Sequence, residues 1–179
     1  MNMAVRETVC MAGRERNLQS SFVYLRPTQL VSYRIVGPYE QSASSAWQLM
    51  FDWLDANGLR GIVDRGYGLA HDDPRVTPAE HCRYDACIEI PNAPQEKWQH
   101  MMPQRLPGGA YHRHRHVGPH STIGSEIRRI RESWNAPNGL VVAVGRPLVE
   151  IYMDDPKFCE PENLRTDLCL PVAFARESV

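Results

Sequence analysis

Apolar positions along this chain repeat with two periods, and each change of period marks an element. Phe22-Val23-Tyr24-Leu25, a proline at Pro27 and then the apolar-rich run from Leu30 to Val36 read as an extended segment broken at the proline. Gly37-Pro38 closes it. Ala43, Trp47, Met50, Phe51 and Leu54 then fall at helical spacing, and Asn57-Gly58 supplies a stop, since glycine tolerates the left-handed backbone. The pattern predicts an amphipathic helix over residues 40–56. Tyr67 to His71, ended by Asp72-Asp73-Pro74, and Cys82 to Ile90 predict two strands joined by a polar loop. Pro91-Asn92-Ala93-Pro94 reads as a connector, after which the pattern starts again.

The repetition is specific. Val36-Gly37-Pro38 returns as Val117-Gly118-Pro119, Trp53 as Trp134 and Asn57-Gly58-Leu59 as Asn138-Gly139-Leu140, all displaced by 81 (117 minus 36). Asp72-Asp73-Pro74 returns as Asp154-Asp155-Pro156, Arg83 as Arg165, Asp85 as Asp167 and Cys87 as Cys169, displaced by 82 (154 minus 72). So many ordered matches imply a duplicated unit. The expected fold is α+β: two βαββ repeats, residues 21–93 and 94–175, related by a pseudo-two-fold axis. An antiparallel sheet would carry the helices on one face, with a ligand cleft between the halves. Residues 21–179 then form one domain, preceded by a polar arm of residues 1–20.

One stretch breaks the apolar rule. Pro147 to Tyr152 reads as a buried strand that carries a carboxylate, Glu150, and an ionised carboxylate is costly to bury unless something pairs with it. Alternation places Leu148, Glu150 and Tyr152 on one face. The positions 82 earlier are Gly68 and Ala70, which predicts an asymmetric pocket with room opposite the carboxylate.

Composition narrows the classes. The chain has 179 residues and a formal net charge of −1, so it carries no electrostatic footprint for nucleic acid or an anionic membrane. Neither a signal-length apolar run near the N-terminus nor a membrane span is present in the sequence, and a cytoplasmic location is expected. Five cysteines, none spaced as Cys-x-x-Cys, agree with that, and Cys82, Cys87 and Cys169 are expected to fill strands. Tyr111-His112-Arg113-His114-Arg115-His116 places three imidazoles on one strand face. Without a further ligand they make no metal site, so a polar edge strand is expected, or a pH-sensitive cleft wall if they face inward. No metal and no cofactor are expected.

Taken together, the repeated Val-Gly-Pro before a helix, the Trp-rich first helix, Asp-Asp-Pro followed by Pro78-Ala79-Glu80-His81-Cys82-Arg83-Tyr84-Asp85, Leu106-Pro107-Gly108-Gly109-Ala110-Tyr111 and Glu150-Ile151-Tyr152 resemble the GyrI-like effector-binding domains over residues 22–172. The resemblance implies a tandem βαββ fold whose cleft binds small, often cationic or aromatic molecules, with the family's pocket carboxylate at Glu150. Members occur as ligand domains of AraC-type and MerR-type multidrug-responsive regulators, as free-standing proteins resembling the DNA gyrase inhibitor, and as hydrolases of cyclopropane-bearing DNA-alkylating compounds. This chain departs from the family in having His120 where the second copy usually has tyrosine.

The expected function is therefore free-standing sensing or sequestration of amphipathic toxic compounds. Aromatic rings beside a desolvated carboxylate attract delocalised cations, and the candidate walls are Tyr152, Tyr111 and Trp98, with Gly68 leaving space. Trp53 and Trp134 are expected in the core. The alternatives are hydrolysis with Glu150 as acid or base, or gyrase inhibition by protein contact. Gyrase or a regulator enters as a partner only through the resemblance. Nothing in the sequence sets the oligomeric state.

Overall fold

The helix read over residues 40–56 and the strands read at Tyr67–His71 and Cys82–Ile90 correspond to elements of the computed structural model, which describes residues 20–61, 63–89, 96, 98–135 and 139–175; the connector read at residues 91–94 lies outside them. In chain order the elements are β1 (Ser20–Leu25), β2 (Thr28–Val36), α1 (Tyr39–Ala56), β3 (Gly66–Ala70), β4 (Arg83–Glu89), β5 (Met102–Leu106), β6 (Gly109–Val117), α2 (Ile123–Glu132), β7 (Leu140–Val142), β8 (Leu148–Tyr152) and β9 (Arg165–Phe174). The architecture is α+β, an antiparallel sheet with two helices. The arm expected over residues 1–20 lies outside the described residues except for Ser20, which opens β1.

The two Gly-Pro steps explain how strands hand over to helices. Gly37 and Gly118 have φ of 148° and 147°, a backbone that favours glycine, and their N–H groups donate to the carbonyls of Cys82 and Leu164. The proline that follows has its φ preset for helix entry. Ala46, Met50, Trp53 and Leu54 then form the buried stripe of α1, and Ile123 and Ile130 that of α2.

Strand order is β1-β6-β9-β8-β3-β4-β2-β5, with β7 paired to the end of β9. The break at Arg26-Pro27 therefore separates two strands that lie far apart in the sheet. Two residues cannot span strand spacings of about 4.8 Å each across most of the sheet. The sheet must curl until β1 and β2 meet, and a Cβ on Gly108, in the matching β5–β6 link, would stand 2.7 Å from the Pro27 ring.

Curling gives the sheet two buried faces. Toward the helices lie Val31, Ala70, Tyr84, Ala86, Ile88, Leu148, Leu168 and Leu170. On the inner side of the curl lie Leu30, Tyr67, Leu69, Cys87, Leu106, Tyr111, Val149, Ile151 and Cys169. Cys87 of β4 and Cys169 of β9 are buried thiols in strands, as expected, whereas Cys82, also buried, lies just before β4 rather than in a strand. Trp53 is buried, and Trp134 is half-buried against the helix-side cluster.

Repeated polar residues serve the frame. Asp72 accepts from Arg83 N, Nε and Nη2 at 2.8–2.9 Å, and Asp154 accepts from the same atoms of Arg165 at 2.7–2.9 Å. Asp85 is ion-paired to Arg34, and Asp167 to Arg115. The strand β6 is not an edge, because β1 and β9 flank it. His112 instead packs on Phe22 and Trp134, His114 pairs with Glu126, and His116 Nε2 lies 3.1 Å from Thr122 Oγ1.

Candidate functional site

Between α1 and α2, over the centre of the sheet, lies a cavity of about 980 Å³. The sequence makes that space. On β3 the residues lining this face are Gly66 and Ala70, which are too small to fill it, while β8 turns Leu148, Glu150 and Tyr152 the same way. Gly68 stands directly opposite Glu150 in the β3–β8 pairing.

Glu150 is 5% exposed. Tyr84 Oη donates to its Oε2 at 2.6 Å and Tyr152 Oη to the same oxygen at 2.5 Å, the two hydroxyl oxygens standing 3.1 Å apart. Trp47 Nε1 in turn donates to Tyr84 Oη at 3.1 Å. Both donors act on one oxygen. Among the described residues Oε1 has no protein donor and Glu150 has no cationic partner. Burial pushes the Glu150 pKa up, and the two hydroxyls only partly offset this by favouring the charged form. Burial, together with the neighbouring carboxylate, pushes Tyr84 and Tyr152 well above the ordinary phenol value, so both stay protonated donors.

Aromatic rings wall the carboxylate. Trp47 meets Tyr152 edge-on at 5.0 Å, His120 meets it from another side at 4.9 Å, and the Tyr39 ring is 6.1 Å from that of Tyr84. Ile123 and Ile127 of α2 and Phe51 of α1 complete an apolar lining. Burial lowers the His120 pKa, and its Nε2 is buried with no hydrogen-bond partner among the described residues. At the rim Arg60 binds Asp155 and Arg131 binds Asp73. Each of these pairs ties a residue in or just after a helix to one of the two Asp-Asp-Pro loops.

Of the residues singled out from sequence, Glu150, Tyr152 and Gly68 come together. The room expected opposite the carboxylate is already taken: a Cβ on Gly68 would stand 2.2 Å from Tyr84 Oη and 2.5 Å from Glu150 Oε2. Tyr111 is not a wall of this cavity. It is fully buried on the other face of the sheet, its Oη donating to the Pro107 carbonyl and the Arg146 guanidinium lying over its ring. The cause is strand parity, since Tyr111 shares a face with Arg113 and Arg115 while the three histidines face the helices. Trp98 packs against the helix-side core outside the cavity lining.

Tyr84, Trp47, Tyr39 and His120 were missed as site residues. Tyr84 carried a usable signal, lying on β4 at even spacing from Ala86 and Ile88, but only the pairing of β4 with β3 and β8 with β3 brings its hydroxyl to Glu150.

Known proteins resemble this chain in sequence or in fold. The probable transcriptional regulator YgiV of Escherichia coli K12 is 26% identical over 122 residues, covering 68% of this chain and 76% of that protein. The DNA gyrase inhibitor of Escherichia coli K12 is 26% identical over 62 residues, 35% of this chain and 38% of that one, so the match spans well under half of the inhibitor. Among solved structures, SAV2435 bound to tetraphenylphosphonium superposes with a TM-score of 0.62 at 11% identity, covering 87% of this chain and 94% of that one, a likeness of fold. The profile of the GyrI-like small molecule binding domain matches residues 18–173, nearly the whole chain, and the chain belongs to that family.

Proposed function

We propose that this protein binds amphipathic cations with delocalised or aromatic charge in the cavity between α1 and α2, and that it senses or sequesters them in the cytosol with Glu150 as the anchor. One observation carries the reading. Glu150 is a buried carboxylate whose only donors among the described residues are two tyrosine hydroxyls on one oxygen, at the floor of an aromatic-walled cavity. A bulky cation can answer the unspent charge and gain about 0.5–2 kcal/mol from each well-placed ring. SAV2435, which shares the fold, was solved with a ligand of this class, tetraphenylphosphonium.

The cavity belongs, in this reading, between two copies of one duplicated unit. The strand registers support it: Leu30 faces Glu89 in one half and Tyr111 faces Pro171 in the other, at the same offsets of 81 and 82. Gly68 and Glu150, equivalent by that offset, face each other, as residues flanking a two-fold axis would. In the same reading β1 and β5 are exchanged between halves, β1 pairing with β6 and β5 with β2. Of the two positions equivalent in this reading one carries a carboxylate and the other glycine, and the missing side chain at Gly68 leaves room for the Tyr84 hydroxyl.

A second reading, hydrolysis, is favoured by the raised Glu150 pKa, which suits a proton donor toward a strained ring. A thermal-shift screen with lipophilic cations and with neutral alkylating compounds, followed by recovery of each compound at substoichiometric protein, separates the two. Binding predicts stabilisation by cations and intact compound. Turnover of a neutral compound with no stabilisation by any cation would replace the binding reading. A regulator or gyrase as partner is suggested only by the names of the relatives.

A further inference from the structure

Glu150 is not the cavity's only charged feature. Arg131 reaches into it from α2 with its side chain 12% exposed, and among the described residues it makes one ion pair, Nη1 to Asp73 Oδ2 at 2.7 Å. Its Nε is buried with no acceptor among those residues. Asp73 is a shared partner, because Arg75 holds the same carboxylate at 2.6 Å. Arg128, three residues before Arg131 on α2, also lines the cavity, as do Arg75, Asp73 and Glu132. Tyr39 stands between this corner and the Glu150 floor: its hydroxyl donates to the carbonyl of Asp72, next to Asp73, and its ring lies 6.1 Å from Tyr84, which holds Glu150.

A guanidinium has five N–H donors in a planar fork that suits a carboxylate or phosphate taken in two-point fashion. Burying one with a single shared partner is unfavourable for stability alone, because desolvation is only partly repaid. We propose that Arg131, with Arg75 and Arg128, forms an anion subsite, so that the favoured ligands are amphoteric: an aromatic cation at Glu150 tethered to a carboxylate or similar anionic group at Arg131. This rests on the cation-binding reading above and narrows it. The competing role for Arg131 is a simple strap from α2 to the Asp73 loop.

Rhodamine B, which carries a cationic xanthene and a free carboxylate, and its ethyl ester, which lacks the anion, form a matched probe pair for fluorescence titration against the full chain. The wild type should bind the acid about ten-fold more tightly than the ester, the size expected for a charge-assisted contact. Arg131→Gln should erase that preference and leave the ester bound as before or more tightly. Asp73→Asn cuts the same strap yet frees both arginines, so it should raise the preference for the acid. A strap would make the two substitutions act alike and without regard to the probe's anion, and an acid-to-ester ratio unchanged across all three proteins would overturn the proposal. Ester binding insensitive to Glu150→Gln would instead sink the cation reading, leaving the Arg131-dependent ratio to be judged separately.

Discussion

Gly68→Ala tests the geometry of the carboxylate floor more sharply than any change to a charged residue. Gly68 is not among the glycines with positive φ, so alanine meets no backbone penalty and the whole effect is steric. Its methyl would stand 2.2 Å from Tyr84 Oη, 2.9 Å from Tyr84 Cζ and 2.5 Å from Glu150 Oε2, all inside ordinary contact distance. Both groups line the cavity, so they can yield only by turning into it and giving up the hydrogen bonds that tie Tyr84 and Tyr152 to Glu150. Overpacking costs about 1–3 kcal/mol, and loosening a hydrogen bond to a buried carboxylate adds roughly 1–3 kcal/mol. At about 2–4 °C per kcal/mol for a chain of this size, the melting temperature should fall by roughly 5–20 °C, and cation affinity should fall with it. Gly124→Ala is the control: on α2 the added methyl meets nothing within 4 Å, and the helix should be unchanged or up to about 1 kcal/mol more stable. A Gly68→Ala protein that melts within about 1 °C of wild type and binds cations equally well would refute the packing described for Tyr84 and Glu150.

Removing the hydroxyls tests the charge state of the site. Tyr84→Phe and Tyr152→Phe each take away a donor that favours the ionised carboxylate, so the pH midpoint above which lipophilic cations bind should move upward, read from dissociation constants across pH. Glu150→Gln should make the ligand-free protein more stable at neutral pH. The folded-state pKa lies above the unfolded value, so wild-type stability falls as pH rises from the unfolded pKa through the folded one, and the variant should lose that slope in urea titrations. Asp85 behaves in the opposite sense. Burial opposes its ionisation, but hydrogen bonds from Arg34, His71 and Gln104 outweigh that and hold its pKa well below the usual range. Its contribution is present above about pH 4, the unfolded carboxyl value, and is lost as pH falls toward the folded value. Asp85→Asn should cost about 3–5 kcal/mol near neutrality and flatten the acid limb of the urea midpoint.

The sequence was most legible where local chemistry decides. The helix expected over residues 40–56 is α1, Tyr39–Ala56, because its apolar stripe and Asn57-Gly58 stop are local signals. Glu150 was found as an anomaly of pattern, and Tyr152 followed by parity. What resisted reading depends on pairings between strands distant in sequence. The two-residue break at Pro27 gave no sign that β1 would pair with β6 while β2 pairs with β4 and β5. The curl that follows buries both sheet faces, so the histidines of β6 face the helices and Tyr111 the inner core. Strand parity set Tyr111 apart from those histidines, but which face holds the cavity is decided by where α1 and α2 pack. The same long-range assembly brings Tyr84 to Glu150 and Arg131 to Asp73.

The most direct measurement of the central claim is a calorimetric titration of tetraphenylphosphonium into wild type and Glu150→Gln, at a pH below and a pH above the wild-type binding midpoint. The account predicts saturable one-site binding by wild type that strengthens at the higher pH, and a loss of at least about ten-fold in affinity, roughly 1.4 kcal/mol, in the glutamine variant together with the pH dependence. Equal affinity in the two proteins at both pH values would contradict the assignment of Glu150 as the anchor.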